Sequence, residues 1–379
     1  MKILFVQNMN WFSGSELLLA QMLPVLAQKK IEVAMLVIHK TTDARRTNKR
    51  FVDTLVHHHI RVFEIYGHHP LSPALHWKIR RVLKEGRYDI AHCNLPHADF
   101  WMAVQKCFFF RKLKLVSVKH GFDELLLAKY TFRIHKLSNS VFAWAQRVTG
   151  LFIKTNVAIS GFIYDLYVKG RISKKRKIRV VYNGMNFDRQ DTSAFERKIH
   201  PPYAVIVGRL VKYKGHEYLI NAWRLVREYN PEFKLAILGQ GAYQEELKQL
   251  VRDQGLEEQV IFTGYENPHP YFNFSSFSVV SSLCEPFGLI LLESWHHKKA
   301  VVAFNVPAIN EVVDNNVNGI LVPPFDINEL ARKIIYMFEH KDDTDSMGER
   351  GYSKLNEKYN LERMVTEYIE IYNDALTAK

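Results

Sequence analysis

Short apolar runs recur along this chain, separated by longer stretches whose apolar positions fall at helical spacing. In the first half the runs are Ile3–Val6, Val33–Val37, Ile90–Cys93, Leu115–Val118, Val157–Ile159 and Val180–Tyr182. The pattern pauses over Gln190–Pro202, a polar stretch that closes on two prolines and reads as an interdomain connection. It resumes with Ala204–Val207, Lys234–Leu238, Val260–Phe262, Ser278–Val280, Ala300–Ala303 and Gly319–Val322. Unbroken apolar strands alternating with helices predict parallel sheets covered on both faces. A chain of 379 residues is long enough for two such units. The expected architecture is therefore α/β, with one doubly wound parallel-sheet domain over 1–190 and another over 191–360. The remainder, 361–379, has apolar positions at Met364, Ile369, Ile371 and Leu376 and reads as a terminal helix. Sheets of this kind bind ligands beyond the carboxyl ends of their strands, which makes a cleft between the domains the expected site.

Charge sharpens the division. The formal net charge is +13, yet residues 1–190 carry 32 Lys/Arg against 12 Asp/Glu, and the rest carry 20 against 27. Much of the basic excess lies in short segments with aromatic neighbours: Trp77–Arg81, Phe108–Lys114 and Lys174–Lys177. A face resting on anionic lipid is one reading, with each basic side chain near the surface worth about 1 kcal/mol. Solvated faces with Phe108–Phe110 buried are a second. Nucleic acid is the third and weakest, since no nucleic-acid motif accompanies the charge. No apolar run approaches the roughly 20 residues that span a bilayer. The opening Met1–Val6 reads as a first strand, because Gln7, Asn8 and Asn10 interrupt it too early for a signal peptide. Three cysteines without metal-like spacing (Cys93, Cys107, Cys284) point to a reducing, cytosolic setting.

The densest chemistry lies at Glu285-Pro286-Phe287-Gly288, which leads into a helical pattern carrying Glu293. A loop ending at a helix N-terminus collects unpaired N–H groups and suits an anionic or hydroxyl-rich ligand. Glu285 and Glu293 are spaced by nearly whole helical turns, so both could project to one side and hold separate sets of hydroxyls. The plainer alternative is a dipole-favoured glutamate and an exposed one. Arg209, next to Gly208 and past the strand Ala204–Val207, and Lys214 before a helix could together clamp a diphosphate. Gly239-Gln240-Gly241 fails the dinucleotide fingerprint, because Gln244 stands at the third glycine position; it reads, with Gly264-Tyr265, as a close backbone turn near a nucleotide. Gly14 and Ser15 open a helix and could offer amides to a phosphate, although Ser13 and Glu16 also fit a capping box. His120 ends the strand Leu115–Val118. The remaining paired histidines (His57–His59, His68-His69, His296-His297) are expected on the surface or in loops, with no metal cluster.

Taken together these segments resemble family 4 (group 1) glycosyltransferases of the GT-B fold. Besides Glu285–Glu293, the resemblance rests on Val207-Gly208-Arg209-Leu210 with Lys214-Gly215, on Leu235–Gly241, on Val260–Tyr265, on Glu311-Val312-Val313 and on Asn318–Pro323. Val157–Ser160 and Val180–Gly184 match the end of the family's first domain. The resemblance implies two Rossmann-like domains, an acceptor-binding one at 1–190 and a nucleotide-sugar one at 191–360, with a final helix crossing back. It implies a retaining transferase without metal or other cofactor, using a nucleoside-diphosphate sugar and a saccharide or lipid-linked acceptor. Arg209 and Lys214 would stabilise the leaving diphosphate. Glu285 and the amides of Phe287, Gly288 and Leu289 would hold the donor sugar, Glu293 the ribose hydroxyls, and Gly208, Gly241 and Tyr265 would border the nucleotide. His120 matches the family's histidine that contacts the donor sugar. A GT-B epimerase or phosphorylase, or a non-catalytic glycan- or lipid-binding protein on this fold, are the alternatives. The basic first half favours a lipid-linked acceptor and peripheral contact with an anionic membrane, as in envelope polysaccharide assembly. Donor base and sugar are not written in the sequence.

Overall fold

The computed structural model describes residues 1–9, 14–39, 42–67, 69–121, 137–138, 140–187 and 195–377, excluding the side chains of 42–48. It divides into two compact units. One holds the described residues up to Asn186 and those from Asn360 onward; the other is Phe187–Tyr359.

The first unit is a seven-stranded sheet in the order β3-β2-β1-β4-β5-β6-β7, parallel throughout. Its strands are β1 (Lys2–Met9), β2 (Glu32–His39), β3 (Arg61–Tyr66), β4 (Ile90–Cys93), β5 (Lys114–Lys119), β6 (Thr155–Ala158) and β7 (Ile178–Val180). Inner strands are buried on both faces, which is why β1, β2, β4 and β5 read as unbroken apolar runs. The strand order reverses between β1 and β4, and ligand crevices of doubly wound sheets open at such a point. The second unit repeats the plan with six parallel strands in the order β10-β9-β8-β11-β12-β13. These are β8 (Tyr203–Val207), β9 (Lys234–Leu238), β10 (Val260–Gly264), β11 (Phe277–Val280), β12 (Val301–Phe304) and β13 (Gly319–Val322). Its reversal falls between β8 and β11.

Four expectations need correcting. The strand β3 carries no clean apolar run: Arg61 and Glu64 interrupt it, and as an edge strand it is only half-buried. The strand β1 does not stop at Val6 but continues through Gln7 and Asn8, whose amides are buried and not solvated. Phe108 and Phe109 are not buried: they are 71% and 48% exposed at the end of the helix Pro96–Phe108. In the last helix, Leu361–Thr377, the buried face is Leu361, Met364, Val365, Tyr368, Ile371 and Tyr372; Leu376 is exposed.

That last helix is integral to the first unit. The Tyr372 hydroxyl hydrogen-bonds His92 Nδ1 on β4 at 2.7 Å, His92 stacks on Phe5 of β1, and Arg363 donates to the Tyr182 carbonyl at 2.6 Å. Burial holds the His92 imidazole down at about 3, so it is a neutral core group. Tyr372→Phe leaves that nitrogen without its partner in a dry interior. The expected cost is about 1–2 kcal/mol, read as a lower urea midpoint at unchanged slope; an unchanged midpoint would show that the contact contributes nothing.

Candidate active site

In the second unit, the chain leaves β8 through Gly208 and Arg209. It makes a 3₁₀ turn, Lys212–Lys214, and enters the helix His216–Tyr229. The neighbouring strand β11 leads through Ser281–Glu285 into the helix Leu289–His296. The two exits are fastened together: Ser281 Oγ donates to the Lys214 carbonyl at 3.1 Å and Leu283 N to the Tyr213 carbonyl at 2.8 Å. This fastening brings Lys214 Nζ to 2.5 Å from Glu285 Oε1, with the two side chains 19% and 7% exposed. Arg209 is exposed beside them and donates to the Tyr213 hydroxyl at 2.8 Å. A small cavity under the pair is lined by Gly208, Lys214, His216, Ser282, Glu285 and Ile290.

Glu285 and Glu293 do not share a helix face. The helix begins only at Leu289, after Gly288 at φ 92°, a left-handed conformation that favours glycine, so helical spacing does not apply across the segment. What relates the two carboxylates is Lys214, which bonds Glu285 and lies close enough to pull the Glu293 carboxyl downward. Burial outweighs that pull and pushes Glu293 up to about 7. Phe287 is a core side chain, its ring edge-on to Tyr359, so only its backbone is available to a ligand. Gly241 is explained by packing: a Cβ there would lie 2.2 Å from the Leu210 carbonyl, and Leu210 N donates to Gln240 at 3.0 Å. Tyr265, directly after β10, is 79% exposed.

In the first unit, His120 follows β5 directly and is half-buried; burial brings its imidazole down to about 4. Its Nε2 lies 2.7 Å from Asn94 Oδ1 beyond β4. Gly14 and Ser15 begin the helix Gly14–Gln28, and Ser15 Oγ donates to Glu16 at 3.0 Å. Ser13, and with it the capping box, lies outside the described residues.

Two features escaped the sequence reading. His216, at the first position of its helix, is 1% exposed, and burial next to Lys214 takes it down to about 3. Neither ring nitrogen has a hydrogen-bond partner among the described residues, and the ring lines the Lys214–Glu285 cavity. Lys-Gly-His was legible, but only the strand pairing shows that its histidine turns inward. The pair His296-His297 is not a surface feature either. His297 Nε2 lies 2.8 Å from His269 Nδ1 and its ring stacks on Phe272, while His296 stacks on Phe187. The adjacent rings do not point apart: their centroids are 5.0 Å from each other, edge-on, and both approach His269. Among the described residues no group of three His, Cys, Asp or Glu is placed to hold a metal.

Residues 12–189 match the Glycosyltransferase Family 4 profile, and residues 188–354 match Glycosyl transferases group 1. The chain belongs to family 4, group 1, of the glycosyltransferases. An uncharacterized glycosyltransferase of Methanocaldococcus jannaschii is 27% identical over 215 residues, which are 53% of this chain and 55% of that protein. A Campylobacter jejuni enzyme named as an N-acetylgalactosamine-N,N'-diacetylbacillosaminyl-diphospho-undecaprenol 4-alpha-N-acetylgalactosaminyltransferase is 30% identical over 182 residues, 47% of this chain and 49% of its own. The chain thus spans about half the length of these relatives. The crystal structure of Anabaena HepE with UDP and glucose superposes with a TM-score of 0.81 at 22% identity, covering 99% of this chain and 100% of that one. The fold is therefore GT-B.

The Glu293 carboxyl yields a test by pH. Its folded pKa lies above the ordinary value of a free glutamate, so the folded family 4 chain holds a proton that the unfolded chain releases. Stability from this group is present at low pH and is lost as pH rises to about 7. Glu293→Gln should therefore raise stability by roughly 2–3 kcal/mol more at pH 8 than at pH 5. Urea unfolding at the two pH values measures this, and equal effects at both would contradict it.

Proposed function

We propose that this family 4 chain transfers a sugar, with retention of configuration and without a metal, from a nucleoside-diphosphate sugar to a saccharide or lipid-linked acceptor. The observation that carries the reading is the Lys214–Glu285 contact at the β8/β11 reversal, with Arg209 alongside. A leaving diphosphate gains negative charge as the glycosidic bond breaks, and two cations at fixed positions lower the cost of that charge. Lys214 is neutralised by Glu285 without ligand; a phosphate oxygen would share the ammonium and release Glu285 toward sugar hydroxyls. The amides of Phe287, Gly288 and Leu289 would orient the sugar, and ionised Glu293 would accept from ribose hydroxyls. Gly208 and Gly241 would border the nucleotide and Tyr265 its rim. His120 would contact the donor sugar, and Gly14 and Ser15 would offer amides to phosphate. Two carboxylates alone would also suit a hydrolase, but a cation pair at the leaving-group side has no use there.

The acceptor reading rests on the surface of the first unit. The helix Val141–Gly150 presents Val141, Trp144 and Val148 to solvent, continued by Leu151, at 84%, 65%, 42% and 74% exposure. Lys177 Nζ donates to the Gly150 and Ile153 carbonyls at that helix end; burial first, and then the neighbouring cations Lys174, Arg176 and Lys154, hold its ammonium down, as burial and then Lys114 and Lys154 do for Lys106. Phe108 and Phe109 adjoin them, and Arg80 lies 4.0 Å over the Phe109 ring. Exposed apolar side chains bordered by cations match the interface of an anionic bilayer. Among the described residues no helix is long and apolar enough to cross a membrane, so peripheral contact at a cytoplasmic membrane face is the proposal. It agrees with a lipid-linked acceptor and envelope glycolipid or polysaccharide synthesis.

Lys214→Ala would strip the buried Glu285 of its cation, so Lys214→Gln is the cleaner variant. It should lower kcat by roughly 10²–10³ while the protein stays folded, in line with loss of one charge-stabilising group. The donor is identified first by thermal shift against UDP, GDP, ADP and their sugar conjugates. Transfer that persists in EDTA with a retained anomer by NMR supports the mechanism; an inverted product or metal dependence rejects it. For the membrane, cosedimentation with anionic vesicles at low salt should be lost in high salt and in Trp144→Ser/Leu151→Ser. Equal binding to neutral vesicles would reject the charge-assisted surface.

A further inference from the structure

Three buried polar residues in the first unit have no part in the reaction described above: Gln7, Asn94 and Glu16, at 0%, 2% and 3% exposure. They stand at the ends of β1 and β4 and in the first turn of the helix Gly14–Gln28, and they form one continuous hydrogen-bonded chain that ends on His120. Gln7 Nε2 donates to Glu16 Oε1 and, at 3.3 Å, to Ser15 Oγ. Asn94 Nδ2 donates to Gln7 Oε1 at 2.7 Å, and Asn94 Oδ1 faces His120 Nε2 at 2.7 Å.

The direction of this chain follows from its far end. A carboxylate can only accept, so Gln7 must turn its NH₂ to Glu16 and its oxygen to Asn94. Asn94 must then give its NH₂ to Gln7, which leaves its oxygen toward the imidazole. An oxygen there can only accept, so His120 Nε2 must carry the hydrogen. We infer that Glu16 is a positioning residue that acts through Gln7 and Asn94 to hold His120 as its Nε2–H tautomer, leaving Nδ1 as the acceptor presented to ligand. Depression of the imidazole by burial means that the ring is neutral at pH 7, where tautomer choice decides what it can bind. A hydroxyl donor, such as that of a sugar, fits an Nδ1 lone pair; a carbonyl or phosphate oxygen does not. The inference deepens the proposed role of His120 and rests on it for its consequence, though not for its test.

The test is long-range ¹H–¹⁵N correlation of the full chain with ¹⁵N-labelled histidine, the His120 signals being those lost in His120→Gln. The ligand-free wild type should show a protonated Nε2 and a bare Nδ1. In Glu16→Gln the anchor can present either end, so the bare-nitrogen signal should divide between Nδ1 and Nε2. Glu16→Asp, still acceptor-only, should restore the single form. Turnover of Glu16→Gln should fall in kcat with little change in donor KM. An Nδ1–H tautomer in the wild type overturns the inference, as does an undivided signal in folded Glu16→Gln. If the tautomers behave as stated but His120→Gln keeps full turnover, the relay stands and the sugar-contact reading of His120 fails.

Discussion

Parallel strands can be joined only by crossovers, and these crossovers are right-handed, so where the strand order reverses, the chain must leave two adjacent strands toward opposite faces. This constraint organises both polar clusters described above. At β8 and β11 it puts two loops side by side. Here the pair is closed by a serine hydroxyl, one backbone bond and the Lys214–Glu285 contact. At β1 and β4 it brings Gln7 and Asn94 together, and β5 adds His120. The same geometry thus builds two polar clusters of different kinds, one on an ion pair and one on neutral amides anchored by the Glu16 carboxylate.

The charged cluster has an energetic logic of its own. Removing a lysine and a glutamate from water costs more than a surface ion pair returns, so such a pair adds little stability by itself, while loss of either partner leaves a buried charge uncompensated. Glu293 beside it is held partly protonated near neutrality by burial. A site with one carboxylate tied to a cation and another near its midpoint can take up a multiply charged ligand with little net change in buried charge. The Lys119–Asp99 pair at the end of β5 is different: its side chains are 3% and 1% exposed, and Lys119 also bonds Gln146 at 3.2 Å. Both side chains lie in the core beside the strand end that carries His120.

Much of the architecture was legible because parallel strands buried on both faces must be apolar throughout, and these runs located every strand except β3, although the run Val180–Tyr182 meets β7 only at Val180. That strand is an edge, where one side meets water and charged residues are tolerated, so Arg61 and Glu64 hid it. The loop residues Arg209, Lys214 and Glu285 were visible as motifs, and the contact between Lys214 and Glu285 was not, since it spans 71 positions in the chain. Helical spacing wrongly related Glu285 to Glu293 because the helix begins after Gly288. His216 and the chain from Glu16 to His120 were unreadable for a common reason. A buried polar side chain looks like a solvated one in sequence, and only the partners contributed by other strands distinguish them.

The second unit interrupts the first in sequence: Phe187–Tyr359 is inserted between Asn186 and Asn360, and both flanks belong to one body. The flanks are neighbours. A Cβ at Gly184 would lie 2.2 Å from the Asn360 carbonyl, and Gly184 N donates to Met364 Sδ at 3.2 Å. An inserted module whose entry and exit adjoin can be lengthened, exchanged or excised without cutting the core of its host. The chain is a module held in a bracket, and the helix Leu361–Thr377 is the closing half of that bracket.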